Sequence, residues 1–252
     1  MLAGRIGYSG DMEVREEKFT VRTYECQADG NLKIVSLMQY LQEAAALHAE
    51  QLGFGFERLN GLDGYWALSN LRVEIAQVPR WNDEVTIRTW PSGYTRLIAT
   101  REFVGTDQNH RELFRAGSEW MVLDKQRGRP KNLFHLDLGL PKTGPKAMQQ
   151  KLSRLEPRHD YGIVQRVCVP GSSIDLNGHV NNTEYVRWGM DALSKAFTPQ
   201  GNIRCLQATY LSEVFQGDEL DVLAACGTGG CLCVLARRAD TQTNVYVMEV
   251  LC

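Results

Sequence analysis

The chain has 252 residues, 43% of them hydrophobic and 23% charged, enough for two modest cores or one large one. Its formal net charge of −2 gives no whole-chain attraction to nucleic acid or to a membrane surface. No apolar run approaches the roughly 18 residues of a membrane span, and "MLAGRIGYSGDMEVREEKFT" lacks the continuous apolar stretch of a secretory signal.

In chain order, "KFTVRTYEC" reads as a strand and leads into "ADGNLKIVSLMQYLQEAAALHAEQLG". There Ile34, Leu37, Met38, Leu41, Ala45, His48 and Leu52 follow helical spacing, and Gly53 supplies a stop. Four strand-like runs come next: "LSNLRVEIAQV", "EVTIRTW", "LIATREFVG" and "GSEWMVLD". A stretch with four prolines and three glycines, "RGRPKNLFHLDLGLPKTGPKAMQQKLSRLEPRHD", suits a connection over the surface. Residues 125–158 carry nine Lys/Arg against two Asp/Glu, which reads either as a solvated linker or as a docking surface for an acidic partner.

The order then repeats. "YGIVQRVCV" is followed by "DLNGHVNNTEYVRWGMDALSKAF", with Val186, Gly189, Met190, Leu193 and Phe197 at helical period. Strand-like runs follow again: "CLQATYLSEVF", "ELDVLAAC", "CLCVLARRA" and "TNVYVMEVLC". In the last, Val245, Val247, Glu249 and Leu251 alternate with Tyr246, Met248 and Val250, so a strand covered on both faces is expected. Cys231 and Cys233 share one face of their strand as small core residues, with no histidine nearby. The seven cysteines form no C-x-x-C pair, so reduced thiols and no metal site are expected. One helix followed by several strands, twice, predicts an α+β chain of two units at 1–134 and 160–252, joined by a linker at 135–159.

The repeat lets one copy be compared with the other. Aligning Gly178 with Gly30 sets His179 against Asn31 and Asn177 against Asp29; aligning "EVFQGDEL" with "VPRWNDEV" sets Glu213 against Val78. A structural turn need not differ between copies, whereas a site kept in one copy does.

On these residues the chain resembles the acyl-acyl carrier protein (acyl-ACP) thioesterases of plant plastids and bacteria, over nearly its whole length. "DLNGHVNNTEY" (175–185) is similar to the family stretch D-x-N-x-H-V-N-N-x-x-Y, and "TYLSEVFQGD" (209–218) to the stretch carrying a glutamate after a tyrosine. "WALSNLRVEIAQVPRWNDEVTIRTW" resembles the segment after the first long helix. The resemblance implies two fused hot-dog domains, each an antiparallel sheet wrapped around a long central helix. It implies hydrolysis of an acyl-ACP thioester without a cofactor. The cysteine that follows the glutamate in plant members is Val214 here, so no thiolate nucleophile stands at that position.

The implied site is Asp175, Asn177, His179 and Glu213. A thiol is a fair leaving group, so the demanding steps are activating water and holding the oxyanion. Glu213 is assigned water activation, because a carboxylate in an apolar cleft is a stronger base than one in water. His179 is the rival base. Asn177 offers an amide to the carbonyl oxygen or the water, Asp175 orients the turn, and backbone N–H groups at the helix start are oxyanion donors. An acyl tunnel beneath the first helix is implied, with Met38, Leu41, Trp66 and Leu71 expected to line it. Acyl carrier protein, bearing a phosphopantetheine-linked chain, is the implied partner, with a homodimer left open. Its acidic surface would meet Lys125, Arg127, Arg129 and Lys131 at the start of the basic stretch, and Arg187 and Lys195 on the second helix. The compartment implied is the cytoplasm, or the plastid stroma if a transit peptide preceded. The alternatives are an acyl-coenzyme A hydrolase of the same fold, a non-catalytic acyl-binding module and a hot-dog dehydratase.

Overall fold

The computed structural model describes residues 14–141, 143–157, 160–197 and 201–252. The first positions of the expected N-terminal unit, 1–13, and the last of the expected linker, 158–159, lie outside the described residues. The first half runs β1 (Arg15–Thr20), α1 (Ile34–Gln51), α2 (Phe56–Asn60), β2 (Gly64–Ile75), β3 (Glu84–Tyr94), β4 (Ala99–Thr106) and β5 (Glu112–Asp124). The second runs β6 (Gly162–Cys168), α3 (Asn182–Ala196), β7 (Cys205–Tyr210), β8 (Glu219–Cys226), β9 (Leu232–Arg238) and β10 (Asn244–Leu251). Both long helices fall where the periodicity predicts them; the short α2 has no sequence forecast.

The strands form one antiparallel sheet in the order β1-β3-β4-β5-β2-β7-β10-β9-β8-β6. Each half has the same internal order, with its second strand innermost, so the sheet is two hot-dog units joined edge to edge. The seam pairs β2 with β7, from Asn70 opposite Thr209 to Glu74 opposite Cys205. Joining there removes one exposed edge from each half.

One large apolar core runs through both units, taking in Leu37, Met38 and Leu41 of α1, Val186 and Leu193 of α3, and Val73, Leu206 and Met248 of the sheet. Gly189 of α3 packs closely on the sheet, its missing Cβ lying 2.7 Å from where Met248 Cε sits. Strand β10 is buried on both faces, as its sequence predicts: Tyr246 and Met248 face the main core, while Val247 packs with Leu155, Leu223 and Leu235.

Leu155 comes from the connection, which does more than pass through solvent. The connection crosses the outer face of the sheet and satisfies polar groups there. Trp90 Nε1 donates to Pro145 O (3.0 Å), Ala147 N to Glu102 Oε2 (3.1 Å), and Leu155 N to Thr209 Oγ1 (3.0 Å). Residues 125–131 belong instead to a tight turn closing β5, with Leu123 bridged to Pro130.

Candidate active site

The turn ahead of each long helix is built on one pattern. In the second half Ile174 bridges Val180, Asp175 N donates to His179 O (2.8 Å) and Gly178 N donates to Asp175 O (3.0 Å). In the first half Cys26 bridges Leu32, Gln27 N donates to Asn31 O (2.8 Å) and Gly30 N donates to Gln27 O (3.0 Å). Gly178 and Gly30 take left-handed φ values of 80° and 83°, which favour glycine. A second loop closes on each turn: Val214 O accepts from Val180 N (2.9 Å), and Pro79 O from Leu32 N (2.8 Å). The correspondence of His179 with Asn31 and of Glu213 with Val78 therefore holds in three dimensions.

The side chains then diverge. Asp175 Oδ1 accepts from the backbone N–H groups of Asn177 (2.8 Å) and His179 (3.3 Å), so this carboxylate stiffens the turn. The His179 ring lies between Tyr65 and Phe215, with centroids 4.9 and 5.1 Å away. Its Nε2 is 3.8 Å from Glu213 Oε1, and the hydroxyl of Tyr65 donates to that same oxygen. Burial, and then the bond to Glu213, hold the Tyr65 phenol above its ordinary pKa range, so it remains a donor. The Glu213 loop is pinned from behind by Arg238, which donates to Glu213 O (2.7 Å) and to Asp218 Oδ2 (2.7 Å).

Asn177 Oδ1 is buried and, among the described residues, has no hydrogen-bond partner. Such an acceptor costs about 1–3 kcal/mol unless a water or ligand meets it. In the first half the equivalent groups are used up: Asn31 donates N and Nδ2 to the Asp29 carboxylate (2.9 and 2.8 Å), and Arg80 donates to Asp29 O (2.9 Å).

Two cavities meet at the second turn. The larger, about 510 Å³, is walled by Ala45, Ala49, Phe54, Leu59, Trp66 and Trp120 of the first half, and reaches Asp175, Leu176 and Asn177 of the second. The smaller, about 100 Å³, is bordered by Tyr65, His179, Tyr185, Tyr210 and Glu213. Tyr65, Trp66, Asp175, Asn177 and Asn182 border both.

Arg101 also lines the larger cavity. It is buried, with Nη1 against His48 Nδ1 (3.1 Å) and Thr89 Oγ1 (3.2 Å), and no carboxylate among the described residues pairs with it. Burial lowers its pKa to about 10; burial and then Arg101 lower that of His48 to about 4, so the imidazole is a neutral acceptor. Arg101 lies opposite Ser118 on β5 and Tyr65 opposite Leu123. At about 3.4 Å per residue that separates them by roughly 17 Å along the strands. The guanidinium therefore marks the end of the cavity remote from the turn.

Residues 12–135 match the model of the acyl-ACP thioesterase N-terminal domain, and residues 158–248 that of the acyl-ACP thioesterase C-terminal domain. The chain belongs to the acyl-ACP thioesterase family. It is 25% identical over 228 residues to oleoyl-acyl carrier protein thioesterase 1, chloroplastic, of Arabidopsis thaliana, covering 82% of this chain and 62% of that protein. It is 28% identical over 210 residues to the acyl-[acyl-carrier-protein] hydrolase FATB1, chloroplastic, of Cuphea viscosissima, covering 77% of this chain. The chain spans 62% and 50% of the length of these two curated relatives. Among solved structures, an acyl-ACP thioesterase from Bacteroides thetaiotaomicron superposes with a TM-score of 0.83 at 24% identity, over 94% of this chain and 97% of that one. The 12:0-ACP thioesterase from Umbellularia californica gives 0.84 at 22% identity, over 97% and 98%. Identities this low establish the shared fold.

Within this family fold, Asp175, Asn177, His179 and Glu213 border the smaller cavity together. Of the four residues expected to line the tunnel, Trp66 borders both cavities, whereas Met38, Leu41 and Leu71 lie in the main core. The face of α1 that meets the cavity is instead Gln42, Ala45, Ala46 and Ala49, where small residues leave the space. Among the basic candidates, Lys125 sits over the ring of Phe56 (5.9 Å), a residue lining the large cavity, and Arg127 and Arg129 are exposed in the same turn. Lys131 is paired with Asp124 (2.8 Å) and Arg187 with Glu184 (3.1 Å). Lys195 donates to Gln165 in the last turn of α3, about 20 Å along the axis from the helix start. Tyr65, Phe215 and Arg101 have no sequence forecast. The one available signal for Tyr65 is its place beside Trp66.

Proposed function

We propose that this protein hydrolyses the thioester of acyl-ACP, releasing a free fatty acid and the carrier thiol, by direct attack of water. One observation carries the reading: a carboxylate and an imidazole 3.8 Å apart border a small cavity that shares a wall with an apolar one of about 510 Å³. The acyl chain lies in the larger cavity, and the pantetheine arm enters past the smaller.

Water between Glu213 and the carbonyl carbon gives its proton to the carboxylate as its oxygen attacks. Asn177 Oδ1, without another partner among the described residues, accepts the second hydrogen of that water and aims its lone pair. His179 assists by polarising water or carbonyl, and Asp175 keeps the turn rigid. The tetrahedral oxyanion is met at the start of α3 by Asn182, which borders both cavities, since the N–H groups of Asn181, Thr183 and Glu184 are bonded within the chain. Collapse breaks the C–S bond, and the proton taken by Glu213 passes to the departing thiolate. No acyl-enzyme forms. Val214 is wholly buried and has no nucleophilic atom, which supports this step order.

Lys125, Arg127 and Arg129 beside Phe56, with Leu176 exposed at 86%, make a basic and apolar rim suited to an acidic carrier helix. An acyl-coenzyme A donor would present the same thioester, so the deciding test compares hydrolysis of acyl-ACP and acyl-coenzyme A over graded chain lengths. Reversing the charges of Lys125, Arg127 and Arg129 should slow acyl-ACP turnover and flatten its salt dependence. A small acyl thioester should be unaffected. Equal loss on both substrates would refute the docking role, and a trapped acyl-enzyme would refute direct water attack. The site of action consistent with this reading is the cytoplasm or plastid stroma. Among the described residues no helix is long and apolar enough to cross a membrane.

A further inference from the structure

The catalytic groups assigned above all lie in the second half, yet the residue holding Glu213 comes from the first. Tyr65, on β2, is buried, and its hydroxyl donates to Glu213 Oε1 across the junction of the halves. Its ring packs on His179 (4.9 Å between centroids) and borders both cavities. One side chain thus touches both members of the carboxylate–imidazole pair. We propose that Tyr65 is a positioning residue for the reaction: it holds the Glu213 carboxylate and clamps the His179 ring, so that the working site exists only when the two halves are packed together. This inference rests on the hydrolytic reading of the same site.

The physical argument concerns which protonation state is favoured. A carboxylate in an apolar pocket tends to take up a proton, and a protonated Glu213 is no base. A donor bonded to the charged form opposes that tendency. Tyr65 can serve because burial, and then the bond to Glu213, keep its phenol protonated, so its hydroxyl is a standing donor to that carboxyl group. With Oε1 engaged by Tyr65, Oε2 is the oxygen left for water.

The other ionisable groups around Glu213 do not replace this bond. From the turn before α3 come His179 and Asp175, the latter committed to two backbone N–H groups. Arg238 of β9 donates to the main-chain oxygen of Glu213 and to Asp218, not to the side-chain carboxylate. Tyr185 of α3 and Tyr210 of β7 line the small cavity; Tyr210 donates to Asn182 O (3.0 Å). Among the described residues the hydrogen-bond donor to the Glu213 side chain is Tyr65.

The test is Tyr65→Phe, which keeps the ring on His179 and deletes the hydroxyl. The acid limb of the pH–kcat profile should move upward by about one unit, the scale of a hydrogen bond to a charged group. The loss in kcat should be larger at pH 6 than at pH 9, with KM changed less than about twofold. In ligand-free protein, the Glu213 side-chain carboxyl followed by ¹³C NMR should titrate at higher pH than in the parent. A purely structural tyrosine would lower melting temperature without moving either profile. If Tyr65→Phe folds poorly, Tyr65→Leu is measured in the same two ways. An unmoved acid limb and an unmoved carboxyl titration overturn the proposal while leaving hydrolysis intact. Absence of thioester hydrolysis in the parent overturns the hydrolytic reading, and the NMR titration still decides the Tyr65–Glu213 linkage.

Discussion

The turns at 27–31 and 175–179 are the same piece of backbone put to different ends. Each has a bridge, a left-handed glycine and a helix start, and each is met by a second loop at the equivalent point. In the first, Asp29, Asn31 and Arg80 satisfy one another, and Val78 packs against the core. In the second, Asn177 Oδ1 has no partner among the described residues and Glu213 faces His179. Backbone geometry is therefore neutral as to function. The difference lies in whether the turn's polar groups are consumed internally or left aimed at a cavity. A second contrast runs the other way: the first half has no such site but supplies most of the large cavity's wall, including Arg101 at its remote end.

The strongest attack on this division of labour is to neutralise one half's chemistry and supply it to the other. Glu213→Gln should lower kcat by about 10²–10⁴, the range of general-base contributions, for every chain length alike. Val78→Glu should restore nothing when placed in that background, because its neighbour Asn31 is already bonded within its own turn. Steady-state hydrolysis of one short and one long acyl thioester checks both statements.

A smaller effect should come from the cavity wall. Ala49→Phe fills space beside α1 without touching the turn. KM for long acyl chains should rise by roughly tenfold or more, the order of 1–3 kcal/mol for lost apolar burial, while butyryl thioesters keep their rates. If short and long substrates suffer equally, the large cavity is not the acyl site.

Acid stability should separate the halves most finely. His48 is wholly buried in the first half, whereas Ala196, at the equivalent place in the second, is exposed. The folded-state pKa of His48 is lowered from 6.5 to about 4, so the native state binds fewer protons than the unfolded chain between those values. Its contribution is fully present above pH 6.5 and is lost as pH falls towards 4, up to about 3 kcal/mol in all. Urea denaturation at pH 7.5 and pH 4.5 should show this loss in the parent, and a smaller one in His48→Gln.

By itself the sequence determined whatever is written locally. The periodicities over 34–52 and 186–197, the two positions at Gly30 and Gly178, and the two-faced apolar pattern of β10 are properties of neighbouring residues. The two helices and the two-sided burial of β10 emerged in the structure, although Phe197 falls just beyond the end of α3, and the two glycines proved to hold equivalent left-handed positions. The comparison of the repeats likewise singled out His179 and Glu213, since a substitution between copies is visible without coordinates. Tertiary structure alone decided the rest. Met38, Leu41 and Leu71 are apolar and at helical or strand spacing, but pattern cannot tell a core contact from a cavity wall. That depends on which face finds an opposing side chain and which finds Ala45 and Ala49 opposite empty space. The connection's hold on the sheet depends on polar groups of β4 and β7 meeting backbone far away in sequence. Tyr65 and Glu213 are 148 residues apart, brought together only when β2 pairs with β7 at the seam. No local signal encodes such a contact, because its energy depends on the packing of two halves and not on either segment alone.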